Sequence, residues 1–308
     1  MVIVDAHCDT LTVAVNKNTD IYENNFHWDI KRALNYDGFV QFMAIFQNPD
    51  VVRPTYERAI QYIHKAESFE KEYPQFRICR SFHDIREGLA QKKVCALLSI
   101  EGGEALGGQT GNLSKLYDKG IRCVTLTWNY ANELGDGAKE SRHGGLTPFG
   151  CEIVKLMQEK GMIVDVSHAD EKTFWDCINM SVKPIIASHS NARAVHDNPR
   201  NLKNDQLKAI ANTGGVIGVN FYTEFIDKPG RVDAEALIRH IEHICEVTGC
   251  DAVGLGADFD GMESLPEDVK GVENLDIIFN KLASMNYSES TIKKIAGENY
   301  LRVLREIL

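Results

Sequence analysis

A chain of 308 residues, 44% of them hydrophobic, has room for one large domain or two medium ones, and either buries a sizeable core. Its formal net charge of −10 leaves no electrostatic footprint for nucleic acid or for an anionic membrane surface. No apolar run approaches the roughly 18 residues of a membrane span, Asp5 and Asp9 come too early for a secretory signal, and Leu301–Leu308 is amphipathic rather than an anchor tail, so the expectation is a cytoplasmic protein with no membrane partner.

The chain opens with Met1-Val-Ile-Val-Asp-Ala-His-Cys-Asp-Thr10. The β-branched residues Val2, Ile3 and Val4 favour a strand, and His7 and Asp9 follow at a spacing of two, which puts both side chains on one face of an extended segment. An imidazole beside a carboxylate at a strand end is half a metal site. Further apolar segments of strand length recur at 39–46, 94–100, 123–127, 162–166, 185–188, 216–219 and 252–256, after a first strand over 2–6. Helical periodicity separates them at 55–73, 84–91, 113–119, 148–160, 171–180, 205–212 and 233–247, and the tail carries helices at 277–285 and 288–296 and a final one opened by Gly297-Glu-Asn-Tyr. Eight strands too apolar for a half-exposed sheet, alternating with helices, predict an α/β protein of the (β/α)8 TIM-barrel type, read as a single domain over 1–308. A doubly wound open sheet has the same periodicity. Residues 18–35 read as an excursion forming a lid or a rim.

Chemistry in such a barrel sits at the C-terminal ends of the strands. His7 and Asp9 follow the first segment, Glu101-Gly-Gly the third, His168 the fifth, His189 the sixth and Asp258 the last, so histidine or carboxylate recurs at five of the eight strand ends. Each has an ordinary explanation alone, as a hydrogen-bonded filler or a helix cap; together they converge on one face. Imidazoles and carboxylates suit zinc and, less selectively, manganese, cobalt or iron. Five ligands exceed the need of one catalytic zinc, which points to two metal ions bridged by a carboxylate and about 3.5–4 Å apart, polarising a carbonyl and making hydroxide from a shared water. Hydrolysis is then the expected reaction, with Asp258 moving the proton to the leaving group.

Other motifs fail on spacing. Gly254-Leu-Gly256 lacks the third glycine of a dinucleotide fingerprint, Asp258-Phe-Asp260-Gly lacks the spacing of a calcium loop, and the glycine-rich run from Gly102 to Gly111 has no Gly-Lys-Ser/Thr ending. His240 and His243, three apart on one helix, read as a solvated face. His27, His64 and His83 lie away from strand ends. The eight cysteines include no Cys-x-x-Cys pair and read as thiols of a reducing compartment; Cys245 and Cys250 gain no second pair for a zinc site.

The motifs Asp5-Ala-His-Cys-Asp-Thr10, Ser99-Ile-Glu-Gly-Gly, Gly145-Leu-Thr-Pro-Phe-Gly, Asp165-Val-Ser-His, Ala187-Ser-His-Ser and Gly256-Ala-Asp-Phe-Asp-Gly261 stand in the order found in the renal (membrane) dipeptidase family of the metal-dependent amidohydrolase superfamily, which the chain resembles along nearly its whole length. That resemblance implies a two-zinc barrel hydrolysing dipeptides, often with a C-terminal D-residue. His7 and Asp9 would hold one zinc and His168 and His189 the other, with Glu101 bridging and Asp258 in proton transfer. Arg200, in Asn198-Pro-Arg-Asn, matches a family arginine that contacts the substrate carboxylate, a role suited to a guanidinium fork; Arg193 is the fallback. The sequence departs from the family at Trp128, where better-known members place a substrate-contacting histidine, and tryptophan neither accepts a hydrogen bond nor takes a proton. His143 is the candidate replacement.

Two other readings compete with a dinuclear zinc dipeptidase. One keeps the site but turns it on another amide or ester, such as an N-acyl amino acid or a lactone, and the Trp128 departure keeps it open. The other is a catalytically idle metal-binding barrel, against which the retention of Asp258 argues. A homo-oligomer is compatible with the sequence.

Overall fold

The computed structural model describes residues 1–308. Nine parallel strands form one sheet: β1 (Val2–Cys8), β2 (Gly38–Phe46), β3 (Phe76–Ile78), β4 (Val94–Glu101), β5 (Ile121–Thr125), β6 (Ile163–Asp165), β7 (Ile185–Ala187), β8 (Val216–Val219) and β9 (Val253–Leu255). Pairing runs from β2 through β1, β9, β8, β7, β6 and β5 to β4, and β4 pairs back onto β2 from Val94 to Glu101, closing an eight-stranded barrel. Strand β3 stands outside that ring, on the half of the β4 edge that β5 leaves free. It is the one strand the periodicity did not predict, because three residues carry no readable alternation.

The helices are α1 (Thr10–Lys17), α2 (Ile30–Ala33), α3 (Tyr56–Glu72), α4 (Phe82–Ala90), α5 (Thr110–Asp118), α6 (Pro148–Lys160), α7 (Glu171–Met180), α8 (Asn204–Asn212), α9 (Thr223–Ile226), α10 (Ala234–Thr248), α11 (Leu275–Ser284), α12 (Glu289–Lys293) and α13 (Asn299–Ile307). Side-chain oxygens start many of them: Thr55, Ser81, Thr147, Asp170 and Ser288 each accept the backbone N–H three residues on. Helices α1, α2 and α9 were not predicted from the sequence.

Alternation along the strands sorts two apolar layers. Ile3, Phe39, Met43, Ala96, Leu98, Val124, Val164 and Ile217 join the helices in a cluster of 69 buried residues, whereas Val4, Val40, Phe42, Cys95, Leu97, Cys123, Ile163, Ile186 and Val216 form an inner cluster of 16 with Tyr300, Val303, Leu304 and Ile307. Helix α13 therefore plugs the N-terminal mouth of the barrel. Gly254 makes room for it, since a Cβ there would lie 2.4 Å from the Tyr300 ring. With one mouth filled, the other is left for chemistry.

The segment 18–35 is a rim. Ile21 and Trp28 are fully buried, Val272 donates its N–H to the His27 carbonyl at 2.9 Å, and Arg32 reaches Glu273 at 2.8 Å.

Candidate metal centre

His7 is the second-last residue of strand β1, and Asp9 holds the N-cap position of α1. Aspartate normally caps a helix with its side chain; Asp9 makes no such bond and turns instead to His7, 3.3 Å from Oδ2 to Nε2. Strand β9 brings Asp258 alongside, because the N–H of Asp258 donates to the His7 carbonyl and that of Asp9 to the Phe259 carbonyl. Glu101 closes β4, and His168 and His189 follow β6 and β7. His168 and Asp258 both have positive φ, +66° and +61°, a backbone that costs a non-glycine residue energy and turns these side chains over the barrel mouth.

All five predicted ligands and Asp258 come together there, each less than a tenth exposed. Glu101 sits between two sets of donors: Oε2 is 3.4 Å from His7 Nε2, while Oε1 is 3.2 Å from His168 Nε2 and 3.8 Å from His189 Nε2. Two groups of three share that carboxylate, His7 with Asp9 and Glu101, and His168 with His189 and Glu101, the ligand atoms of each group within 4.8 Å of one another.

Residues behind the histidines fix their tautomers. Asp165 accepts the Ser188 hydroxyl hydrogen at 2.5 Å, so the Ser188 oxygen is left to accept from His189 Nδ1 at 2.7 Å. Asp165 itself is held by Thr125 Oγ1 and by the N–H groups of Ser167 and Ser188. The Asn129 side-chain oxygen accepts from His168 Nδ1 at 3.2 Å. Both rings thus carry hydrogen on Nδ1, and their Nε2 lone pairs face each other at 3.0 Å with Glu101 beside them. Burial first, and for His168 then the Arg200 charge, holds both imidazoles neutral, His168 down at about 3 and His189 well below the usual histidine range. Converging lone pairs without a proton between them suit a shared cation. Asp9 Oδ1 is likewise buried with no hydrogen-bond partner. The residues fit a divalent metal centre.

The carboxylates divide by environment. Burial acts to raise Glu101, but His7 and His168 override it and hold the group well below the usual carboxylate range. Burial pushes Asp9 to about 6. It pushes Asp258 to about 7, opposed by His7 and reinforced by the charges of Asp9 and Glu101. Asn220 Nδ2 donates to Asp258 Oδ2 at 2.9 Å, leaving Oδ1 to face His7 at 3.8 Å. A Cβ on Gly261 would lie 2.2 Å from Asp9 and 2.5 Å from Asp258, so any side chain there would displace both carboxylates.

A cavity of about 290 Å3 opens onto this cluster, with Phe46, Trp128, Phe225 and Met262 as its apolar wall and Lys139, Glu224 and Glu263 among its polar residues. Trp128 packs on Phe46 with ring centres 5.2 Å apart. His143 and Arg193 lie elsewhere, lining a second cavity that shares His168 with the first; His143 turns to Asp170 at 3.3 Å instead of facing the cluster. Arg200 also lines that second cavity, buried, with Nη2 donating to the His189 carbonyl at 3.1 Å, and burial lowers its pKa to about 10. His240 is the clearest misreading: it is fully buried, accepting from the Ala192 N–H and donating to the Ile226 carbonyl, whereas His243 is on the surface with Asn204. Asn129, Asp165, Ser188 and Asn220 were not singled out as site residues. Asp165 and Ser188 stand three residues and one residue before a histidine, at the ends of the neighbouring strands β6 and β7, and only the pairing of those strands joins them.

The sequence pattern of the membrane dipeptidase family, peptidase family M19, matches residues 1–308. The chain belongs to that family. It is 36% identical over 243 residues to an uncharacterised protein encoded in the pqqA 5′ region of Klebsiella pneumoniae, covering 76% of this chain and 89% of that one. An uncharacterised dipeptidase of Schizosaccharomyces pombe is 36% identical over 236 residues, covering 75% of this chain and 58% of its own length. Among solved structures, a metallopeptidase described as dipeptidase AC of family M19 superposes with a TM-score of 0.91 at 26% identity, covering 100% of this chain and 98% of its own. A Rhodobacter sphaeroides metallopeptidase bound to a phosphinate mimic of the dipeptide L-Ala-D-Ala gives 0.90 at 25% identity, covering 100% and 99%. This member of the family is a metal-dependent dipeptidase built on a TIM barrel. No helix is long and apolar enough to cross a membrane.

Proposed function

We propose that the chain is a dinuclear zinc dipeptidase in which His7 and Asp9 hold one ion, His168 and His189 the other, and Glu101 bridges them. The observation that carries this reading is the convergence of two proton-free Nε2 atoms, 3.0 Å apart, on one oxygen of Glu101 while its other oxygen faces His7 and Asp9. Two divalent ions there would polarise the scissile carbonyl and lower the pKa of a shared water, supplying hydroxide.

The chain's own residues do the rest. Asp258, with a pKa near neutrality, takes a proton at Oδ1 and delivers it to the departing amine, while Asn220 holds Oδ2 and fixes the direction of transfer. Arg200, a buried guanidinium with no carboxylate partner, grips the terminal carboxylate of the substrate, which favours dipeptides over internal peptide bonds. Phe46 and Trp128 supply an apolar wall of the cavity over the cluster, against which a substrate side chain packs. The bound L-Ala-D-Ala mimic in the Rhodobacter protein supports acceptance of a C-terminal D-residue here. Eight free cysteines support a reducing, cytoplasmic location.

The apolar wall of Phe46, Trp128, Phe225 and Met262 favours a second reading, hydrolysis of an N-acyl amino acid by the same centre. Zinc-loaded protein assayed on L-Ala-L-Ala, L-Ala-D-Ala, one tripeptide and one N-acyl amino acid separates the two. Cleavage of the dipeptides with refusal of the tripeptide is expected; cleavage of the N-acyl substrate alone transfers the function to the second reading.

A further inference from the structure

The second cavity, of about 250 Å3, borders the metal cluster through His168 and is roofed by the loops after β5, β6 and β7. Its volume falls below the roughly 300–1,000 Å3 of sites for larger ligands, and suits one amino-acid residue rather than a longer peptide. Its chemistry is cationic and unfinished. Arg200 is 4% exposed, forms no ion pair, and leaves Nε without any partner. Ser190, 2% exposed, likewise has an unpartnered hydroxyl. Buried polar groups of this kind cost stability unless a ligand satisfies them.

Two more cations stand on the same walls. Arg193 is paired with Asp197 at 2.7 Å and Lys203 with Glu171 at 2.7 Å, both at the surface. Such exposed pairs are weak in water, so either cation can turn to an incoming anion. Asp197 lies outside the cavity, and Asp170, the other acidic residue on its wall, is taken by the Thr173 N–H and His143. The cavity therefore presents more positive than negative charge, while the cluster cavity beside it is acidic.

We propose that the second cavity is the subsite for the C-terminal residue of the substrate and selects an acidic side chain. The α-carboxylate lies on Arg200, and the side-chain carboxylate reaches Arg193 and Lys203. The inference rests on the dipeptidase reading and narrows its substrate class to dipeptides ending in glutamate or aspartate.

The test compares isosteres. The metal-loaded protein is assayed on Ala-Glu, Ala-Gln and Ala-Ala with the C-terminal residue in both configurations, and calorimetry measures the binding of free glutamate and glutamine, the product amino acids. The expected kcat/KM ratio of Ala-Glu to Ala-Gln is about tenfold or more, glutamate binds more tightly than glutamine by a similar factor, and Arg193→Gln or Lys203→Gln brings both ratios severalfold toward one. Ratios within twofold in the wild-type protein, or ratios that neither variant moves, overturn the inference while dipeptide hydrolysis persists. Failure to cleave any of the three dipeptides overturns the dipeptidase reading, and glutamate preference in the calorimeter alone would then show an anion site serving another substrate.

Discussion

Gly261→Ala isolates the geometry of the centre from its chemistry. The backbone of Gly261 lies outside the left-handed region, so alanine fits the main chain without strain. The added methyl, however, would sit 2.2 Å from Asp9 Oδ2 and 2.5 Å from Asp258 Oδ1. Contacts below 3.0 Å are essentially never seen, so Asp9 must withdraw by roughly 0.8 Å and Asp258 by roughly 0.5 Å. Misplacing catalytic groups by about 1 Å costs on the order of a hundredfold, or about 2.7 kcal/mol of transition-state stabilisation. The assay is kcat/KM on a dipeptide, with metal content and a thermal melt alongside. We expect a loss of about a hundredfold in turnover with a small change in melting temperature. Gly111→Ala, in α5 with nothing within 4 Å of the added methyl, is the control and should match the wild type. A fully active Gly261→Ala protein would refute the placement of Asp9 and Asp258 on either side of this glycine.

Further outcomes follow from the same structure. Asp258→Asn should retain its metals and lose about 10²–10⁴-fold in kcat, measured on any cleaved dipeptide; full activity would sink the proton-transfer role. Ser188→Ala removes the acceptor of His189 Nδ1 and should weaken metal binding by about 10–100-fold in a chelator competition. His240 is held neutral chiefly by burial, with a pKa near 4 against 6.5 unfolded. Between those values the unfolded chain carries the proton and the native one does not, so this histidine's contribution is full above pH 6.5 and falls by about 3 kcal/mol as pH drops to 4. Urea melts across that range should show the slope, and His240→Gln should flatten it. Tyr300→Phe deletes a buried hydroxyl that has no partner, so equilibrium unfolding should report a neutral or stabilising change of up to about 1–3 kcal/mol.

The barrel was legible because its buried strands are continuous apolar runs and its helices carry their own caps and periodicity. Strand β3 and helix α9 are too short for either signal. His7, Asp9, Glu101, His168, His189 and Asp258 were readable for a related reason: each stands at the end of an apolar strand or within three residues of it, and a closed barrel gathers strand ends at one mouth. The supporting polar residues were not. Asp165 meets Ser188 and Thr125 only across neighbouring strands, and Asn220 meets Asp258 across the β8 and β9 ends. His240 was misread because helical spacing gives the face of a side chain but not what packs against it; the Ala192 backbone and helix α9 cover it. Arg200 was found through its motif, yet its place in a second cavity depends on the path of the loop after β7.

In the proposed centre Glu101 joins two metal sites, and elemental analysis reads how many ions they hold. Wild-type protein and Asp258→Asn, purified with zinc, should each carry two ions per chain, and Glu101→Gln should carry fewer. One ion or none in the wild type, or two retained in Glu101→Gln, would contradict the bridged centre.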